Sequence, residues 1–239
     1  MIHSKFFLFT LLCGLVAGSA LASSIETPEK KISLRFSTLF NFINFSAKDS
    51  YFKNCNLNQP IDIGIGGGFG DFFWDFTYAL PFSIDDKSSP SEVFELKTNF
   101  YPRGLWFHGM VGFYNRFVFP KEEEYVETKL QIFEARVSGL YFLENERFSW
   151  RAAYELDRIQ KETAGSWLVG GEFRLLGLHS KDSMAPYYAK RRMIPMLAPK
   201  GGYSHTFIFS NDWFLNLTLL GEMGFGIDLL SDKFVLAPE

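Results

Sequence analysis

The sequence is poor in the residues that most often reveal a chemistry. It has two cysteines, Cys13 and Cys55, and four histidines. Two thiols so placed make no disulfide framework and no thiolate zinc site. A basic surplus is also missing, since the formal net charge is −3, which argues against a nucleic-acid binder. After the N-terminus there is no apolar run near the ~18 residues that a spanning helix needs. Aromatic side chains are plentiful instead. Phe 28, Tyr 10 and Trp 5 make up 18% of the chain, so the chain is not disordered and must place many rings in apolar surroundings.

The first residues read as a targeting segment. Lys5 precedes an apolar stretch from Phe6 to Val16, broken by Thr10, and Ala20-Leu21-Ala22 supplies the small-x-small pattern of a cleavage site. Residues 1–22 are therefore expected to be a signal peptide, 23–30 a polar lead-in and 31–239 one β-barrel domain. Leu12 before Cys13 is too bulky for a lipoprotein signal. Cleavage leaves Cys55 as the single cysteine of an exported chain.

The rest alternates with period two, the signature of strands. Phe72, Trp74, Phe76 and Tyr78 oppose Asp71, Phe73, Asp75 and Thr77; Phe94, Leu96 and Phe100 oppose Glu95, Lys97 and Asn99. Leu105–Arg116, Phe133–Tyr141, Trp167–Leu175 and Trp213–Phe225 behave likewise. A turn at Glu144-Asn145-Glu146 followed by Phe148, Trp150, Ala152, Tyr154 and Leu156 reads as a hairpin whose second strand is Phe148–Asp157. With Ile32–Asn44, Ile61–Gly68 and Gly202–Phe209, ten candidate strands result.

The fold class expected is all-β, an antiparallel transmembrane β-barrel of about 10–12 strands with rings facing lipid and a polar row facing inward. Trp and Phe gather near strand ends, and carboxylates stand beside arginines on the polar row. The charges expected on that inner row are Asp71, Asp75, Glu95, Lys97, Glu134, Arg136, Arg151, Glu155, Glu172, Arg174 and Glu222. A soluble sandwich or lipocalin-like binder of an apolar ligand gives the same alternation with the faces exchanged.

Ser149-Trp150-Arg151-Ala152-Ala153, Lys161–Gly171, Gly202–Phe209 with Trp213-Phe214-Leu215, and Gly64–Gly68 leading to Leu80-Pro81-Phe82 resemble a family of exported β-barrel proteins of Gram-negative bacteria, catalogued as a domain of unknown function. The resemblance implies an outer-membrane barrel and supplies no activity. Two features depart from that expectation. The end, Lys233–Glu239, holds no terminal aromatic strand, so further strands are expected beyond it. Counting turns also puts the long Ser180–Lys200 segment on the same side as the short turns at Phe69-Gly70, Pro102-Arg103 and Glu144–Glu146. Either Tyr187–Met196 holds another strand, or the count is off by one.

Motifs of catalysis are weak. Gly64–Gly70 fails both phosphate-loop spacings and reads as a curved strand and turn. Ser204-His205 would suit a hydrolase, but neighbours on a strand point to opposite faces. His108, His179 and His205 share no ligand spacing. No enzyme activity, metal or cofactor is expected, with a barrel hydrolase acting on lipid or peptide as the alternative. Lys190-Arg191-Arg192 reads as a solvated loop, with anionic headgroups as the alternative ligand. The expected role is structural or passive transport, and the expected partners are outer-membrane lipid and the barrel-assembly machinery, with no nucleic acid.

Overall fold

The computed structural model describes residues 2–6, 25–27, 32–39, 43–47, 55–58, 61–82, 89–121, 124–181, 191–210, 213–229 and 233–238. Its elements are β1 (Ile2–Phe6), β2 (Ile25–Glu26), β3 (Ile32–Leu39), β4 (Ile43–Ala47), β5 (Cys55–Leu57), β6 (Asp62–Phe69), β7 (Phe72–Ala79) and β8 (Glu92–Phe100). They continue with β9 (Leu105–Lys121), β10 (Glu124–Phe142), α1 (Trp150–Tyr154), β11 (Ile159–Gln160), β12 (Ala164–Ser180), β13 (Arg191–Ser210), β14 (Trp213–Asp228) and β15 (Lys233–Pro238).

The fold is all-β. Ten strands form one path, β15-β14-β13-β12-β10-β9-β8-β7-β6-β3, while β5, β4 and β1 branch from the far end of β9. Every pairing is antiparallel. Among the described residues β3 and β15 are not paired with each other, so the ladder does not close through hydrogen bonds. β1 lies inside the segment read as a signal peptide and pairs with β4.

Eight of the ten expected strands are present; Ile32–Asn44 is instead two strands with different partners, β3 against β6 and β4 against β1 and β5, and one other is corrected. Phe148–Asp157 is not the second arm of a hairpin: Trp150–Tyr154 is a helix, and β10 pairs instead with β12, Phe142 facing Leu168. Ser149 caps the helix, its hydroxyl accepting from Ala152 N at 3.1 Å, a contact worth about 1 kcal/mol. Trp150 and Tyr154 stack at 4.3 Å between ring centroids. Residues four apart share a row in a period-two pattern and also neighbour each other on a helix. The alternation therefore could not separate the two forms here.

Removing that strand repairs the parity. The turns at Gly70-Asp71 and Arg103-Gly104, the α1 segment and the Ser210–Trp213 connection now lie at one end. Gly70 (φ 59°) and Gly104 (φ 67°) supply the left-handed backbone at two of these turns. Ala79 and Glu92, which end β7 and begin β8, and Ser180 and Arg191, which end β12 and begin β13, lie at the other end. Of the candidate strand at Tyr187–Met196, residues 187–190 lie outside the described residues, and Arg191–Met196 begins β13. At the chain end Lys233–Pro238 forms β15 against Met223–Asp228, a strand that does not finish on an aromatic residue.

α1 shows how far the sheet curls. Glu155, just past the helix, is bonded by Arg35 of β3, while Tyr154 donates to Thr218 Oγ1 of β14 at 3.1 Å. Neighbouring residues of one short helix thus touch strands near opposite ends of the path. Phe73, Tyr101, Leu140, Phe142, Phe148 and Leu168 pack around Trp150 in a buried cluster.

Some glycines are fixed by close ladder approach. A Cβ on Gly170 would stand 1.9 Å from the carbonyl oxygen of Gly139, whereas one on Gly221 would meet nothing nearer than 4.0 Å. Gly170→Ala is expected to destabilise the fold by about 1–3 kcal/mol through the backbone shift it forces. Gly221→Ala should stay within about 0.5 kcal/mol; urea unfolding of both variants followed by circular dichroism checks the contrast.

Candidate functional site: the charged inner face

Burial separates the two faces of the sheet. Outward positions of β12 carry Trp167, Val169, Phe173 and Leu175, and those of β14 carry Trp213, Leu215, Leu217, Leu219, Met223 and Phe225. Leu219 is 80% exposed, whereas Glu134 on the inner face is 2% exposed. Among the described outward side chains of β3, β6–β10 and β12–β14, the charged ones are Glu92, Glu127, Lys129 and Arg191, with Arg116 reaching Glu92. All stand at the end opposite α1.

The inner row gathers most of the expected charges into two clusters. In the first, three carboxylates, Glu134, Glu172 and Glu222, meet three cations, Arg136, Arg174 and Lys200. Arg174 Nη2 lies 2.7 Å from Glu172 and 3.0 Å from Glu222, and its Nε lies 3.5 Å from Glu134. Lys200 Nζ is 2.6 Å from both Glu172 and Glu222. Ser138 donates to Glu172 at 2.5 Å, and Arg136 pairs with Glu134 at 2.9 Å. The charges cancel, so the group can stay buried at modest cost. Glu95 and Lys97 pair nearby at 2.5 Å, and Tyr114 donates to Glu95 at 2.6 Å.

The second cluster holds α1 in the mouth of the sheet. Arg151 bonds Asp71, Asp157 and the Gly70 carbonyl, and its guanidinium lies 5.0 Å from the centre of the Phe73 ring. Arg35 joins Glu155 to Asp75, the latter at 2.8 Å, and Tyr101 donates to Glu155 at 2.7 Å. Burial pushes the Glu155 carboxyl above its ordinary range, with Arg35 and the Tyr101 hydroxyl pulling against it. Burial and the neighbouring Glu155 hold the Tyr101 phenol protonated, well above its usual value. Asp71 sits in the β6–β7 turn with a half-exposed side chain, so it is an anchor for Arg151 at the rim.

Reading the sequence missed Lys200, Arg35, Tyr101, Tyr114 and Ser138 as parts of these clusters. Lys200 is in register with the inner-facing Ser204 once β13 is continued backwards, and Arg35 alternates with the apolar Leu34 and Phe36. Tyr101 lies outside the strands, where alternation carries no signal.

The catalytic candidates are dispersed. Ser204 is buried on the inner face and bonds Thr218 at 2.7 Å, whereas His205 lies on the outer face beside Tyr203 and Phe207. His108 faces inward, 3.0 Å from Asn99 and stacked on Trp106. Gly64–Phe69 is strand, with inner glycines that leave room for Ser37, Asp75 and Phe73. Among the described residues no group of three or more His, Cys, Asp or Glu is placed to hold a metal ion.

The neutral cluster makes a double-mutant prediction. Lys200→Met leaves two carboxylates short of a cation and should cost about 3 kcal/mol. Adding Glu222→Gln should recover part of that loss, with a coupling of about 1 kcal/mol or more, read from urea unfolding of the four proteins.

Searches of curated proteins and of solved structures return no match. A family profile described as a domain of unknown function matches residues 23–234. That match begins at the residue after the expected cleavage site and takes in both charge clusters, α1 and the strands that hold them. The chain belongs to this family, domain of unknown function DUF4421.

Proposed function

We propose that the chain is an exported outer-membrane β-barrel protein with a closed interior, in a structural or passive-transport role and without catalysis. The observation that carries this is the distribution of charge. From Phe94 to Phe100 on β8, Phe133 to Tyr141 on β10 and Met193 to Phe209 on β13, no outward side chain is charged, while the same strands bury Glu95, Glu134, Arg136 and Lys200 inward. Apolar-outward and charged-inward is the arrangement of a strand between lipid and a polar interior. A soluble lipocalin-like barrel requires the reverse, because its outer face meets water.

Strand length supports the same reading. A tilted strand crosses the hydrocarbon core in about 9–11 residues, and β12 and β13 hold 17 and 20. The end with the tight Gly70-Asp71 turn would then be periplasmic, together with the longer connection that carries α1, and the end with the outward charges external. Insertion would depend on the barrel-assembly machinery, and the outer aromatic rows would contact membrane lipid.

The interior is filled. The Arg174 cluster occupies the middle of the inner face, and α1 with its Arg151 and Glu155 anchors occupies one end. A small barrel packed by side chains passes little solute. Planar-bilayer recording with folded protein should therefore give a nearly silent membrane. The double variant Arg151→Ala with Glu155→Ala should raise conductance by freeing α1; a large steady conductance in the unaltered protein refutes the closed interior. Membrane placement has its own readout. The folded protein should sediment with outer membranes through urea washing and shift on gels after boiling, and recovery in the soluble periplasm would exclude the membrane reading.

A further inference from the structure

The outer face has a built groove near its charged end, across β8, β9, β10, β12 and β13. Gln131, His179 and Arg191 are successive cross-strand partners, and two residues further along the same face stand Phe133, Gly177 and Met193, also successive partners. These six residues line a cavity of about 610 Å³, within the range of ordinary small-molecule sites.

Its two halves differ in chemistry. Phe133 leans on Phe113 with ring centroids 5.1 Å apart, and Phe113 on Phe94 at 6.0 Å, so the floor is aromatic. Gly177 contributes no side chain, and a Cβ there would already touch Phe133 at 3.4 Å. The missing side chain at Gly177 leaves the low point of the groove between Phe133 and Met193, and this is the slot an alkyl chain would enter. The polar row above is polarised along its length. Its one acid, Glu92, is held by Arg116 at 2.9 Å and Asn115 at 3.0 Å on the far side of the groove. The β12–β13 side presents a guanidinium and an imidazole next to each other.

The geometry points to a binding site for a lipid bearing an anionic phosphate: the phosphate rests against His179 and Arg191, and one acyl chain lies in the slot over Gly177. Arginine binds phosphate oxygens in pairs through its planar fork, and basic side chains at a membrane surface select anionic headgroups. This site rests on the outer-membrane reading proposed above, and it specifies which lipid the surface selects.

Native mass spectrometry of the full chain in detergent, titrated with dioleoyl phosphatidic acid or dioleoyl phosphatidylcholine, tests it. The unaltered protein should retain phosphatidic acid about tenfold better, and His179→Gln with Arg191→Gln should abolish the preference. Filling the slot by Gly177→Leu, or from the other wall by Met193→Trp, should reduce retention of both lipids in whichever variant keeps the boiling-dependent gel shift. Inorganic phosphate should not displace the bound lipid. Equal retention of the two lipids, an unchanged preference in the double variant, or full displacement by inorganic phosphate overturns the site. If the protein sediments with membranes yet shows no preference, only the lipid site falls; recovery in the soluble periplasm removes both readings.

Discussion

Arg174 is the contact on which the inner face depends. Its guanidinium joins Glu134, Glu172 and Glu222, which belong to three different strands, and Lys200 binds two of the same carboxylates from a fourth. Ionised groups withdrawn from water are tolerated only with partners close enough to replace hydration. Because the outward rows carry no charge through the middle of the sheet, the inner face must accommodate all of it. The cluster adds to what fixes the relative register of β10, β12, β13 and β14, since a slip of one residue would turn Glu172 and Arg174 outward.

Much of this was legible in the sequence, for a definite reason. Strand alternation is a direct image of which side chain meets which surroundings, so Glu134, Arg136, Glu172, Arg174 and Glu222 were placed on one row by spacing alone. The same spacing gave Ser204 and His205 opposite faces. What alternation carries poorly is distinction between forms that share a neighbour relation. Trp150 and Tyr154 satisfy both a strand row and a helical turn, and Ser149 as a cap decided the outcome. A strand counted at Phe148–Asp157 displaces the turn count along the rest of the chain. Lys200 was missed because β13 begins earlier than its apolar positions suggest, with Pro195 and Pro199 on its outward row.

The two clusters differ in what they hold. The one around Arg174 is internal to the sheet and joins strands that are already paired or nearly so. The one around Arg151 and Glu155 joins a separate element to the sheet, through a turn, a strand and a buried phenol. Loss of contacts in the second need not disturb the first. In the proposed reading this separation lets one end of the interior loosen while the strand framework stays intact.

Tyr154 and Glu155 also set an order of events in time. Arg35 is 120 residues before Glu155, and Thr218 is 64 residues after Tyr154. The helix can form its cap as soon as residues 149–160 are available, because those contacts are local. Its contacts to the two ends of the sheet demand closure of far longer loops, and such contacts form slowly. Full seating of α1 therefore comes last: its Arg151 and Glu155 contacts need only β3, β7 and the turns beside them, whereas Tyr154 meets Thr218 only once β14 has joined the sheet.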